Sequence, residues 1–257
     1  MKGFFIKKAF FDGWDNLIGL VLFNLGYLAL FLLLLFSSYI GEKSMALMIA
    51  SWVLLLFVNA FYSGAVANAV YGYSCYKRNT WSDFKEGWSR YARHSLLYAF
   101  ITFLLALIIF LVIPFYYTMG NAVSLVITVL LLWVVIIALL ALPYYFALSS
   151  YLPGDRPIKT LKKCFIVLAD NMGFSIMFLF YNLFCLALTV FTLGLIPGFA
   201  GMSLASHDAI KLIMLKYDYL EENPDTNRRH LSLDDILYEE REKIGPRSFK
   251  NMIFPWK

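Results

Sequence analysis

A chain of 257 residues that is 61% hydrophobic and only 15% charged lies outside the balance of a soluble domain. Its formal charge of +5 is scattered over loops and a tail, which excludes a nucleic-acid surface and suits an anionic membrane leaflet. Cys75, Cys164 and Cys185 are odd in number and lack C-x-x-C spacing, so neither a disulfide framework nor a zinc site is expected.

Lys2, Lys7 and Lys8 precede an apolar run and imitate a signal peptide, but Leu17 to Tyr39 is too long for a signal h-region and lacks a small-residue cleavage site. It reads as an uncleaved first span after a short helical segment, Phe4 to Asn16. The fold class is all-α: a polytopic helical membrane protein with six transmembrane helices in three hairpins. The expected spans are 17–40, 45–71, 96–117, 123–148, 173–191 and 193–215, within a membrane domain 1–220 followed by a tail 221–257. The last span carries Gly194, Pro197, Gly198 and Gly201, a pattern that fits a broken crossing and equally a re-entrant segment.

Between the second and third spans, Thr80 to Ser95 has helical amphipathy. Trp81, Phe84, Trp88, Tyr91 and Ser95 form one stripe, and Lys85, Glu86, Arg90 and Arg93 fall elsewhere, as in an interfacial helix. Thr80 and Asp83 have capping-box spacing. Phe10, Trp14, Leu17, Val21 and Leu161, Phe165, Leu168, Met172 reproduce the spacing of Phe84, Trp88, Tyr91, Ser95 at a period of about 75 residues, each just before an outgoing span. Three copies of surface helix plus hairpin give that pattern, and so does any amphipathic helix that precedes a span.

Basic residues set the orientation. Lys2, Lys7, Lys8, then Lys77, Arg78, Lys85, Arg90, Arg93, then Arg156, Lys159, Lys162, Lys163 lie on one side, with Lys43 alone in the opposite turns. Both termini are therefore expected in the cytoplasm of a cell (inner) membrane protein, and the outer turns are too short for a binding domain.

Asn24, Asn59, Asn68 and Asn182 are amides within apolar spans, where each must face protein or water, either as interhelical hydrogen bonds or as the lining of a path. Ala60, Gly64, Asn68 and Gly72 make a small-residue seam. Ser206, His207, Asp208 and Lys211 bring hydroxyl, base, acid and cation together, open to a relay or catalytic reading, while Asp208 and Lys211 at i, i+3 can simply pair. No metal-ligand spacing, phosphate loop or nucleophile elbow occurs, so no cofactor and no metal is expected. The tail has capping-box spacing at Ser232 to Asp235, a short charged helix from Leu233 to Lys243, and an apolar end with Phe254 and Trp256 that suits the interface or a partner.

Ser63-Gly64-Ala65-Val66-Ala67-Asn68-Ala69, the basic Lys77-Arg78, then Asp83-Phe84 and the aromatic-basic helix leading into Leu96 resemble the YesL family (DUF624) of bacterial membrane proteins, over roughly Phe10 to Phe103. The resemblance implies a multi-pass cell-membrane protein associated with carbohydrate uptake, and it carries over no catalytic residue. The expectation is thus a non-enzymatic accessory or regulatory component of solute uptake that contacts a membrane or cytoplasmic protein. Trp81, Phe84, Trp88, Tyr91, Arg90 and Arg93 with Phe254 and Trp256 would form its contact surface. Alternatives from other classes are a small permease or channel and a membrane enzyme acting on a lipid-linked substrate. The sequence does not specify an oligomeric state.

Overall fold

The computed structural model describes residues 1–41, 43–77, 80–224 and 233–247; Arg78, Phe254 and Trp256 lie outside them. The described chain is all-helical. Helix α1 (Lys2–Asp15) leads into α2 (Leu17–Ile40), a continuous apolar run, and α3 (Met45–Ser74) returns. Ser44 caps α3 by accepting from the Leu47 N–H. Helices α4 (Thr80–Arg90) and α5 (Ala92–Leu107) follow, α5 continuing through a π-helical turn at Ile108–Val112 into α6 (Ile113–Thr118). Pro114 lacks the N–H that a regular helix would use, and the wider turn before it absorbs the mismatch. Asn121 caps α7 (Ala122–Ala141), and a 3₁₀ turn holding Pro143 joins α7 to α8 (Tyr145–Tyr151). Then come α9 (Pro157–Asp170), α10 (Met172–Phe191), α11 (Gly198–Glu222) and the tail helices α12 (Leu233–Ile236) and α13 (Tyr238–Ile244).

Among the described residues five helical stretches are long and apolar enough to cross a membrane: Leu17–Tyr39, Met45–Ser74, Ala92–Thr118, Ala122–Tyr151 and Met172–Phe191. Helix α11 is as long as these but is not among them, because His207, Asp208, Lys211, Lys216 and Asp218 interrupt its apolar character. The distribution of residue types is inverted relative to a water-soluble protein. Phe31, Phe36, Phe110, Leu130 and Trp133 are exposed, as a lipid-facing surface requires, while the interior holds small and polar residues such as Ala65, Ala69, Ser74, Ser150 and Ala209.

At three places a short helix meets a long one through a single non-helical residue: Asn16 (φ −115°, ψ 19°), Tyr91 (φ −97°, ψ 6°) and Asn171 (φ −123°, ψ 36°). These are bridge-region conformations, which turn the chain without a loop. The short helices pack in a recurring way: α4 lies along α3, α9 along α8, and α1 along α11. Each therefore rests on the return helix of the preceding hairpin, and the last hairpin serves the first short helix. The return helices α3, α8 and α11 meet one another at the polar end of the bundle. There the Tyr71 and Tyr151 rings stand edge to face at 5.0 Å, and Ser74 Oγ and Tyr151 OH are 3.3 Å apart.

Helix α4 packs through part of its aromatic stripe: Phe84 and Tyr91 turn inward, with Ser95 beyond them, and Trp81 and Trp88 stay outside. Its innermost residue is Gly87: a Cβ there would sit 2.7 Å from Ala65 Cα and 2.9 Å from Ala65 O. Tyr91 and Ser95 continue that contact over Gly64, and the Asn68 amide donates to Asp83 O at 2.7 Å. The small-residue seam of α3 is thus the bed of α4 and α5. Phe84 stacks on Phe23, whereas Trp81 stays 64% exposed and Trp88 partly so. Thr80 is engaged by the Tyr73 hydroxyl, which donates to Thr80 Oγ1 at 2.9 Å.

Candidate functional site

The polar end of the bundle closes over a buried charge cluster built from four separate parts of the chain. Helix α1 supplies Lys8 and Asp12, one turn apart on its inward face; α11 supplies Asp208 and Lys211; Tyr76 follows α3; and α13 supplies Glu240. Lys8 is completely buried. Its ammonium donates to Asp12 Oδ2 at 2.6 Å and Tyr76 OH at 2.9 Å, and stands 3.1 Å from Glu240 Oε2 and 3.4 Å from Asp208 Oδ1. Lys211 reaches Glu240 Oε1 at 2.9 Å and donates to Ser74 O at 2.7 Å. The Tyr76 ring centre is 4.5 Å from Lys8 Nζ and 4.6 Å from Lys211 Nζ, and its hydroxyl donates to Glu240 Oε2 at 2.9 Å.

Lys243, itself half exposed, also comes within 3.3 Å of Glu240 Oε1, so three carboxyls meet three ammonium groups. Burial and the adjacent Asp208 push the Asp12 carboxyl up to about 8, even with Lys8 beside it. Asp208 is 0% exposed, and neither of its oxygens accepts a hydrogen bond from any described donor. An Asp12 carboxyl that keeps its proton near neutrality offers Asp208 a hydrogen-bond donor. Glu240 behaves oppositely: burial raises its carboxyl, but Lys8 and Lys211 outweigh burial and hold it at about 2. The cluster therefore contains one carboxylate locked as an anion and one carboxyl poised to change charge near neutrality.

His207 and Asp208 are sequence neighbours with different surroundings. His207 Nδ1 is 2.8 Å from Ser203 O, a carbonyl that can only accept, so Nδ1 carries the proton, and Nε2, 3.1 Å from Ser150 Oγ, shares the Ser150 hydroxyl hydrogen with Phe146 O. Tyr91 OH donates to the same Ser150 Oγ at 2.9 Å. The chain Tyr91, Ser150, His207 thus ties the break before α5 to α8 and α11. Ser206 donates to Met202 O at 2.9 Å within its own helix. The hydroxyl, base and acid that stand together in sequence therefore serve three different neighbours. Nor do Asp208 and Lys211 pair with each other: Lys211 turns to Glu240, because α13 brings a carboxylate closer than the adjacent turn of α11 does.

The four span amides also separate. Asn24 is 0% exposed and ties α2 to the start of α11: Nδ2 donates to Leu195 O at 2.8 Å and Pro197 O at 2.7 Å, and Oδ1 accepts from Ala200 N–H at 2.9 Å. Gly198 there has φ +63°, and the Asn24 amide occupies the space a Cβ would need. Asn68 joins α3 to α4 and receives Arg90 at 3.4 Å. Asn182 is half-buried, with Oδ1 enclosed and without a hydrogen bond among the described residues. Asn59 joins neither protein nor cavity; it lies on the exposed face of α3.

Sequence reasoning missed Lys8, Asp12, Tyr76 and Glu240. Lys8 and Asp12 do follow helical i, i+4 spacing, which was their available signal, but Glu240 sits on a helix whose neighbours are charged throughout. Among the described residues no group of three or more His, Cys, Asp or Glu side chains is arranged to hold a metal ion, and the three cysteines are free. The arrangement can hold a proton, and the hydroxyl it sets against His207 is the buried Ser150 Oγ, at 3.1 Å from Nε2. Comparison of the chain with family models, with curated proteins and with solved structures finds no match.

Proposed function

We propose that the chain is a non-enzymatic membrane protein of the YesL type, an accessory or regulatory component of solute uptake, with carbohydrates among the solutes concerned. In this reading it has six crossings, α11 being the sixth, arranged as three repeats of short helix plus hairpin with both termini in the cytoplasm. The repeat is supported by the three single-residue breaks and by the shared seating of α1, α4 and α9 on return helices. One observation carries the regulatory reading: Glu240, on a tail helix, is only 2% exposed and bridges Lys8 of α1 to Lys211 of α11. The tail is thereby coupled to the packing of the first and last hairpins, so a partner that engages the tail acts on the bundle through that ion pair. The exposed aromatic and basic face of α4, with Trp81, Trp88 and Lys85, and Arg93 at the start of α5 give the same end a second contact surface.

A small proton-coupled permease is the second reading, favoured by the Asp12 and Asp208 carboxyls and by the absence of any described hydrogen-bond donor for Asp208. One experiment separates the two. Solute uptake is measured in cells lacking the chain, and flux of the same labelled sugars is measured in proteoliposomes containing only the purified chain. An accessory component changes cellular uptake and gives no flux alone. Flux in the proteoliposomes that Asp208→Asn abolishes establishes the permease, and unchanged cellular uptake overturns the accessory role.

A further inference from the structure

Away from the charge cluster, a cavity of about 920 Å³ opens between α5 and the start of α9, with Phe57 of α3 at its back. Its lining combines Arg93, Arg156, Lys159 and Lys162 with Leu96, Phe100 and Phe57; Arg93 precedes Leu96 and Phe100 by about one and two turns of α5, and the other three cations lie at the start of α9. Lys159 is already balanced, since it pairs with Asp155 at 2.6 Å, and Lys163 shares that carboxylate. Arg93, Arg156 and Lys162 make no ion pair among the described residues and are exposed. Three uncompensated cations therefore line a groove whose wall is hydrocarbon. The wall runs along α5 from Arg93 to Phe100, a rise of about 10 Å at about 1.5 Å per residue. It lies on a helix long and apolar enough to cross the membrane, with Leu96 and Phe100 exposed.

From this juxtaposition we infer that the groove is a binding site for an anionic glycerophospholipid. The lipid phosphate lies among Arg93, Arg156 and Lys162, and its acyl chain lies along Leu96, Phe100 and Phe57. Guanidinium groups grip phosphate oxygens in a bidentate fashion, and basic recesses between membrane helices are suited to anionic headgroups. A zwitterionic lipid brings its own cation and gains little from this surplus. A free phosphate has no use for the apolar wall. The bound lipid bridges α5 to α9 and so braces the second and third hairpins against each other. This site is independent of whether the chain regulates uptake or transports solute.

The test uses the purified full chain in detergent, with dioleoylphosphatidylglycerol, dioleoylphosphatidylcholine and inorganic phosphate as probes. Native mass spectrometry and thermal unfolding are expected to show phosphatidylglycerol retained and stabilising, phosphatidylcholine at least about tenfold weaker, and phosphate without effect. The R93A/R156A/K162A variant is expected to lose the preference between the two lipids. Equal retention of both lipids by the wild-type chain, an equal shift from phosphate alone, or an unchanged preference in a folded triple variant each overturns the site. A phosphatidylglycerol bearing a diazirine on its acyl chain, photolysed with the wild-type chain, gives an answer that needs no variant. Adducts on 96–100 or Phe57 support the site, and adducts confined to other segments overturn it.

Discussion

Lys8 and Glu240, 232 positions apart in the chain, meet at 3.1 Å in a place from which water is excluded. Their pairing is the reason α13 belongs to the bundle. Ile236, Leu237 and Ile244 are buried alongside, and one Arg247 guanidinium nitrogen donates to both Asp15 carboxylate oxygens, at 2.8 and 2.9 Å.

Removing Glu240 leaves the buried Lys8 ammonium with Asp12 and Asp208 and strips Lys211 of its carboxylate partner. Breaking a buried pair on one side costs about 3–5 kcal/mol. Glu240→Ala is expected to lower the unfolding temperature in detergent and to speed protease cleavage between α11 and α12. Glu239→Ala, on the exposed side of the same helix, is the control and is expected to change neither.

The cluster gives stability two opposite slopes with pH. The Asp12 carboxyl rises from 3.8 unfolded to about 8 folded, so the folded chain holds the extra proton between those values and stability falls as pH climbs through that window. The Glu240 carboxyl falls from 4.5 to about 2, so its contribution is present above 4.5 and is lost as pH drops toward 2. Thermal unfolding recorded from pH 5 to 8 is expected to show a declining midpoint in the wild type and a flatter profile in Asp12→Asn. A wild-type profile that rises across this range would contradict the proton-sharing arrangement.

Glycine-to-alanine changes at two helical positions are expected to have opposite signs. In an open helix interior Ala gains about 0.5–1 kcal/mol over Gly. Gly13 has nothing within 4 Å of a built Cβ, so Gly13→Ala should stabilise. At Gly87 the same methyl meets the Ala65 backbone, and overpacking costs about 1–3 kcal/mol, so Gly87→Ala should destabilise. Paired unfolding midpoints check both signs at once.

Asn24→Leu keeps the approximate volume and removes three hydrogen bonds to the backbone around Pro197. Each buried group left unpaired costs about 1–3 kcal/mol, less where a membrane-embedded unfolded state finds other partners. A net loss of about 2–4 kcal/mol is expected. Hydrogen exchange should locate it at the Ala200 amide, leaving the α3 to α4 contact at Asn68 protected.

The long apolar helices were legible in the sequence because an uninterrupted run of hydrocarbon side chains has few alternatives, and Met45–Ser74 differs from the expected 45–71 only at its polar end. Helix α5 begins at Ala92 instead of 96 because Tyr91 alone makes the break, with no loop needed. The orientation of α4 was legible only in part, since Phe84 and Tyr91 of its stripe do pack inward. A hydrophobic stripe selects Trp81 and Trp88, yet at a membrane boundary large aromatics face outward and a glycine marks the packed side. The polar residues of α11 were legible as a group. Their partners were not, since periodicity relates residues within one helix and Lys8 and Glu240 reach Asp208 and Lys211 from opposite ends of the chain.

The seating of α1 on α11 sets an order on biosynthesis. Lys8 and Asp12 are made about 200 residues before Asp208, and Glu240 follows later still. Until then this lysine and this acid have only each other. Helices α4 and α9 find α3 and α8 already made. The first helix is the last of the three to dock, and its docking signals that the whole bundle has been assembled.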